Sequence, residues 1–212
     1  DINPFVEGLI KSFSTNTYEY LLYVSKSIQR YKLAPNSREG YVALRDKYNS
    51  IPIPTRDPRM LYTLILYGFQ QQIRFNTDHG FNNPIGSRWF NECLLSKFIT
   101  FSRCSKEKNV EYLNVGFENL EDQITSGTFV YADPPYRSTL GVYNDGKRGF
   151  EGWTIDHEQR LCTFLDLIHQ RGAQFMLSYV LQVEGFYNEE VANWAERNNY
   201  HVIDIEIPQG RY

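Results

Sequence analysis

Apolar residues recur along this chain with two different periods. From Pro4 to Phe13 and from Tyr18 to Tyr31 they return every three or four positions, the spacing of one helix face. In the second stretch Leu21, Leu22, Val24, Ser25 and Ile28 fall on one side. A third helix is predicted over Ser37–Tyr48, with Ser37 as its cap. Ile51-Pro52-Ile53-Pro54 punctuates the chain, and Asp57-Pro58 opens a strongly apolar helix over Arg59–Phe69. Between Gln70 and Ser87 the periodicity breaks. Asp78-His79-Gly80 and Pro84-Ile85-Gly86 signal turns and predict a hairpin or loop. Helical spacing returns over 88–106.

The second half alternates. Short apolar runs at Asn109–Val115, Thr128–Ala132, Gln174–Val180 and His201–Ile207 predict strands, the second of them buried. Asp1-Ile2-Asn3-Pro4 reads as a strand end entering a helix. Glu118–Thr125 predicts a short helix or loop. Asp156–Arg171, capped by Thr154, and Glu189–Asn199 predict helices. A polar loop, Arg137–Gly152, carries Gly141, Gly146, Gly149 and Gly152. Strand–helix alternation after residue 109 argues for an α/β fold with a parallel sheet. The helical first half, broken by a polar segment, reads as an inserted domain.

Composition changes this picture in three respects. The 212 residues suffice for one domain with a sizeable insertion. Aromatic residues reach 16%, with 16 Tyr and 14 Phe, which suits stacking surfaces as well as packing. Cys93, Cys104 and Cys162 are too few and too scattered for a disulfide framework, and no metal-ligand spacing occurs. A reduced, cytoplasmic protein with no metal is expected. No apolar run is long enough to span a bilayer. The formal net charge of −3 counts against a nucleic-acid partner, but charge is unevenly placed. From Arg59 to Lys108 seven basic residues face three acidic ones, a local excess able to grip a phosphate backbone.

The most informative residues are Asp133-Pro134-Pro135-Tyr136, at the end of the Thr128–Ala132 run. The prolines fix φ, donate no N–H and bias Asp133 toward extended geometry. The Asp133 carboxylate and the Pro134 carbonyl then form two acceptors beside an aromatic ring, a site for a flat amine. Acceptors aimed at both hydrogens of an exocyclic amine localise its lone pair. A stacked ring holds the base flat for in-line attack on a methyl donor. The structural alternative is a proline turn with a surface Tyr.

With this tetrad, with Tyr67-Gly68-Phe69-Gln70-Gln71-Gln72-Ile73-Arg74-Phe75-Asn76 and Gly80-Phe81-Asn82-Asn83-Pro84-Ile85-Gly86-Ser87-Arg88, and with the opening Asp1-Ile2-Asn3, the chain resembles the Dam-type DNA adenine methyltransferases. These depend on S-adenosylmethionine. The order of the three stretches is the family's, and the resemblance spans nearly the whole chain. It implies a Rossmann-like methyltransferase sheet with helices on both faces and an inserted, mainly helical target-recognition domain with a hairpin. Residues 1–17 and 107–212 would form the catalytic domain and 18–106 the insertion. Asp133 and the Pro134 carbonyl would accept the target amino group, Pro135 would stiffen the turn, and Tyr136 would stack on a flipped adenine. Asp1, Phe117 and Asp133 would contact the donor, Asp1 through its ribose hydroxyls. A helix N-cap is the structural alternative for Asp1, and a core position for Phe117.

The same resemblance makes Phe69, Gln70, Gln72, Arg74, Asn76, Pro84 and Arg88 the DNA-reading set. Arg74 suits bidentate contact with guanine, and Arg88 a base or phosphate. Gln70 and Gln72 suit adenine, Pro84 a thymine methyl, and Phe69 a wedge where the base has left. The partners implied are double-stranded DNA, at a short site with GATC as the candidate, the methyl donor, and a cognate restriction endonuclease. The chain departs from the family in lacking the glycine-rich donor turn upstream of Asp-Ile-Asn and the final strand. A fragment and a degenerate homologue both account for this. Residues 1–212 alone are expected to bind the donor poorly. The amine clamp would also serve a methyltransferase acting on RNA or a protein amide, and a non-catalytic DNA-binding module is a third reading.

Overall fold

A computed structural model describes residues 1–137, 152–183 and 185–205. The expected glycine loop over 138–151 and the end of the expected last strand, Glu206 and Ile207, lie outside the described residues. The chain divides at Gly116/Phe117 into two compact units.

The first unit is helical: α1 (Pro4–Ser12), α2 (Thr17–Arg30), α3 (Arg38–Ser50), α4 (Pro58–Tyr67) and α5 (Glu92–Glu107). Four of the five starts carry a side-chain cap. Asn3 accepts from the Phe5 and Val6 amides, Asn16 from Tyr18 and Glu19, Asp57 from Arg59, and Asn91 from Leu94. Ser37 precedes α3 but makes no side-chain cap bond. Pro4 and Pro58 occupy first-turn positions, where a missing N–H costs nothing. The apolar α4 is the hub, packing against α1, α2 and α3 through Leu61, Leu64 and Leu66. In α2 the buried stripe is Tyr20, Val24 and Ser27; Leu22 and Ser25, expected inside, face solvent. Tyr20 takes the core place because its ring packs among Phe13, Tyr62 and Phe98, at centroid distances of 5.6, 5.8 and 4.9 Å.

The second unit is a βαβ arrangement. β1 (Phe129–Ala132) pairs in parallel with β2 (Gln174–Leu177), with α6 (Ile155–Gln170) between them in sequence. The register sets Phe129 opposite Gln174 and Ala132 opposite Leu177. Thr154 and His157 close a capping box at the start of α6. Val130, Ala132, Phe175 and Leu177 pack on a core of Leu161, Phe164, Leu165, Ile168 and Trp194. A short antiparallel hairpin, β3 (Gln182–Val183) and β4 (Phe186–Tyr187), then leads into α7 (Glu189–Arg197).

Four expectations change. β1 is not buried on both faces: Phe129 and Tyr131 are 60% and 55% exposed, because only Val130 and Ala132 face α6 and α7. Residues 1–3, 109–115 and 201–205 join no ladder among the described residues, since an apolar run becomes a strand only beside a partner. The strand at 174 stops at Leu177 rather than Val180, and α4 stops at Tyr67 rather than Phe69. Of the hairpin or loop expected over Gln70–Ser87, the structure has a folded loop, with two isolated antiparallel bridges, Gly68 to Ile85 and Phe75 to Phe81.

Candidate active site and target-reading loop

Asp133 stands at the carboxyl end of β1, where open α/β sheets place their ligands. The ladder reaches this point: the Ser178 amide donates to the Ala132 carbonyl at 2.9 Å. Asp133 is exposed, and its Oδ1 accepts the Tyr136 hydroxyl at 2.8 Å. The Tyr136 ring stands edge-on to Tyr179, with centroids 5.5 Å apart. A Ser178 hydrogen bond lowers the Tyr136 pKa, but the Asp133 bond, burial and the Asp133 charge together outweigh it and leave the phenol above its ordinary value. Tyr136 is therefore a neutral, half-buried ring near neutral pH, suited to stacking. The structure thus brings Asp133 and Tyr136 together.

Phe117 opens a 3-10 turn (Phe117–Gln123) in this same unit, and its ring meets Phe164 edge-on at 5.3 Å. It packs against the core while staying half-buried. Asp1 belongs to the first unit. It is exposed, and its Oδ1 accepts the Asn3 amide at 2.7 Å. The cap of α1 is Asn3, so capping does not account for Asp1.

The DNA-reading candidates occupy one loop of the first unit. Phe69, Gln70, Arg74, Pro84 and Arg88 are exposed. Gln70 and Gln71 both hold positive φ, 51° and 57°, a rare and strained pair for residues with side chains. Asn83, 1% exposed, maintains it. Its Nδ2 donates to the Phe69 and Gln72 carbonyls, both at 3.0 Å, bridging the turn from within. Tyr41 in turn donates to the Asn83 carbonyl at 2.9 Å. Gly68 and Gly86 permit the crossing of the two segments, since a Cβ on Gly86 would lie 2.7 Å from the Gly68 carbonyl oxygen. Arg88 donates to Gln71 Oε1 at 3.3 Å, and Gln72 to Gln70 Oε1 at 2.9 Å. Gln72 and Asn76 are both half-buried; Asn76 differs in what it holds. Its Oδ1 accepts the Gly80 and Asp78 amides at 2.7 and 3.1 Å, closing its own turn.

Sequence reasoning missed Gln71 and Asn83. An Asn beside a proline and two glycines carries the signal of a tight turn, but nothing in its spacing reveals bonds across 14 and 11 residues. Among the described residues no group of three His, Cys, Asp or Glu side chains could hold a metal ion, and no helix is long and apolar enough to cross a membrane.

With a parallel β1–β2 pair, α6 between the two strands in sequence, and a carboxylate bonded to a phenol just past the end of β1, the second unit is of the α/β class. The chain belongs to the D12 class N6 adenine-specific DNA methyltransferase family, whose model matches residues 1–206. Members of this family generally use S-adenosylmethionine. The type II methyltransferase M.FokI of Planomicrobium okeanokoites is 37% identical over 205 residues, covering 95% of this chain and 31% of that protein. The modification methylase LlaI of Lactococcus lactis subsp. lactis is 34% identical over 209 residues, covering 97% and 32%. The DNA adenine methylase of Escherichia coli (strain K12) is 22% identical over 208 residues, covering 97% and 70%. The chain spans less than a third of the length of the first two.

Proposed function

We propose that these residues form the catalytic and target-reading part of an adenine-N6 DNA methyltransferase that modifies a flipped adenine in a short duplex site. The observation that carries the reading is the Asp133–Tyr136 pair at the carboxyl end of β1. The Asp133 carboxylate accepts one hydrogen of the amino group, and the Pro134 carbonyl accepts the other. Tyr136 stacks on the base. Entry of the amine requires Asp133 to exchange its bond with the Tyr136 hydroxyl for one with the substrate, an exchange of like for like that costs little. S-adenosylmethionine, when bound, supplies the electrophilic methyl group. Asp1 and Phe117 would hold its ribose and adenine, and Asp133 would border it.

Residues 18–106 are assigned to target recognition, and 1–17 with 107–212 to methyl transfer on a Rossmann-like sheet. Phe69, Gln70, Gln72, Arg74, Pro84 and Arg88 would meet the DNA. Asn76 would act there chiefly by shaping the loop. The relatives named as modification methylases support a cognate restriction endonuclease as a partner, and GATC is the first site to try. The test uses the full-length protein. Labelled methyl transfer is followed on duplex DNA, RNA and protein in parallel, with Asp133→Ala as control. Transfer confined to duplex DNA, and lost in Asp133→Ala, is expected. Undiminished transfer by Asp133→Ala would overturn the reading.

A further inference from the structure

The Asp133–Tyr136 segment is held from its two ends. At the first, the β1–β2 ladder runs up to Ala132. In the middle, Pro134 and Pro135 have no N–H to donate, so the segment cannot be fastened there by main-chain donors. The second end is Arg137, and its surroundings are unusual. Its Nη2 lies 2.6 Å from Glu190 Oε2, and its guanidinium carbon 5.4 Å from the centre of the Phe186 ring. Its Nε lies 3.4 Å from Glu158 Oε2, close enough to pair in charge but misaligned for a hydrogen bond. Its main-chain N–H donates to the Tyr179 hydroxyl at 3.5 Å.

Glu158 ties these groups together. It sits in the first turn of α6 and is 2% exposed. Its Oε1 accepts the Tyr179 hydroxyl and the Asn188 Nδ2, the latter at 2.9 Å. Asn188 is fully buried and caps α7 by accepting the Val191 amide. A buried carboxylate is a poor source of stability compared with an apolar side chain of its size. It does, however, impose direction on every donor around it. Here the donors are Asn188 and Tyr179, whose ring abuts Tyr136, and the paired cation is Arg137, which follows Tyr136 in the chain.

We propose that Glu158 is a positioning residue for methyl transfer: through Tyr179 and Arg137 it fixes the Tyr136 ring and the Asp133 carboxylate in the geometry that receives the flipped base. The proposal rests on the reading of Asp133 and Tyr136 given above. It predicts that loosening the network lowers turnover without weakening DNA capture, because target recognition is assigned to other residues.

The test compares full-length wild type, Glu158→Gln, Tyr179→Phe and Glu190→Gln. Each is assayed for kcat and KM with duplex DNA, for melting temperature, and for fluorescence of 2-aminopurine at the target adenine. Tyr179→Phe removes one oxygen and keeps the ring, and Glu190→Gln alters a partly exposed side chain. These two decide the question should Glu158→Gln fail to fold. For Glu158→Gln and Tyr179→Phe kcat is expected to fall roughly 10- to 100-fold, the scale of a small misplacement near the chemistry. KM should stay within about threefold, and 2-aminopurine emission should rise as the stack with Tyr136 loosens. Glu190→Gln should show the same pattern more weakly. Folded variants with wild-type kcat and fluorescence would overturn the proposal. So would a lowered melting temperature with kcat preserved below it, which marks a structural role alone. Wild-type protein that fails to methylate DNA would instead strike the underlying reading, so the two failures are distinguishable.

Discussion

The hydroxyl of Tyr136 occupies the carboxylate oxygen that a substrate amine would need, and the two halves of that tyrosine can be separated by mutation. Tyr136→Phe keeps the ring and releases Asp133, so kcat is expected to stay within roughly tenfold of wild type. Tyr136→Ala removes a stacking surface of about 1–3 kcal/mol and should depress methyl transfer by roughly 10- to 100-fold more. Steady-state kinetics on duplex DNA check the order. Cysteine reactivity offers a second contrast. Burial, reinforced by the Asp166 and Glu158 charges, pushes the Cys162 thiol up to about 12, whereas Cys93 is exposed. Thiol titration of the folded protein near pH 8 should label Cys93 first and Cys162 only on unfolding. At this scale the sequence was most readable where a residue's chemistry is rare. Asp133 and Tyr136 stood out because two prolines separate them. Glu158 did not, because a glutamate in a helical first turn looks like an ordinary dipole partner until its burial is known.

Among elements, the loop after α4 shows how a strained turn is kept. Without Asn83, the Phe69 and Gln72 carbonyls lose their shared donor, and the left-handed Gln70–Gln71 pair loses its brace. Asn83→Ala is expected to cost about 1–3 kcal/mol in chemical denaturation. It should also weaken specific DNA binding more than non-specific binding, as measured by competition titration. Gly86→Ala should be worse, since its Cβ would press on the Gly68 backbone rather than on a yielding side chain. Helices were legible because their signals are local: Asp57-Pro58 and Thr154 announce starts, whereas Ser37, read as a cap, makes no cap bond and Asn16, which does, went unread. Strands were less so. Residues 109–115 have the composition of a strand, but a ladder depends on a partner distant in sequence. The β3–β4 hairpin was missed because two residues per strand are too few to show alternation, although Gly185, at φ 76°, supplies its turn.

For the whole molecule, charge and aromatic burial are the governing quantities. Residues 1–116 carry 15 basic and 10 acidic side chains, and residues 117–212 carry 7 and 15. The net figure of −3 therefore conceals a positive helical segment, which is why composition alone argued against DNA and the local count argued for it. Much of the tyrosine load went into packing, although Tyr18, Tyr131 and Tyr187 are exposed. Burial pushes Tyr48 and Tyr62 up to about 12 and raises Tyr20, Tyr41, Tyr179 and Tyr200 as well. In the unfolded chain these phenols ionise near 10. The folded state then binds more protons above about pH 10, so the tyrosine contribution to stability is full below about pH 10 and is lost as pH rises above it. Alkaline titration followed at 295 nm should show the buried phenolates emerging together with the loss of helical circular dichroism. Separate curves, with phenolates forming in an intact fold, would contradict the packing described.

The outward side of the parallel ribbon, two-stranded among the described residues, displays Phe129, Tyr131 and Met176, all more than half open to water. Parallel strands ordinarily have both sides covered, and greasy rings left wet invite self-association. A purified 212-residue polypeptide should therefore brighten the dye ANS at neutral pH and scatter light as its concentration rises. Changing Phe129 and Tyr131 to serine should abolish both effects while leaving the helical spectrum intact.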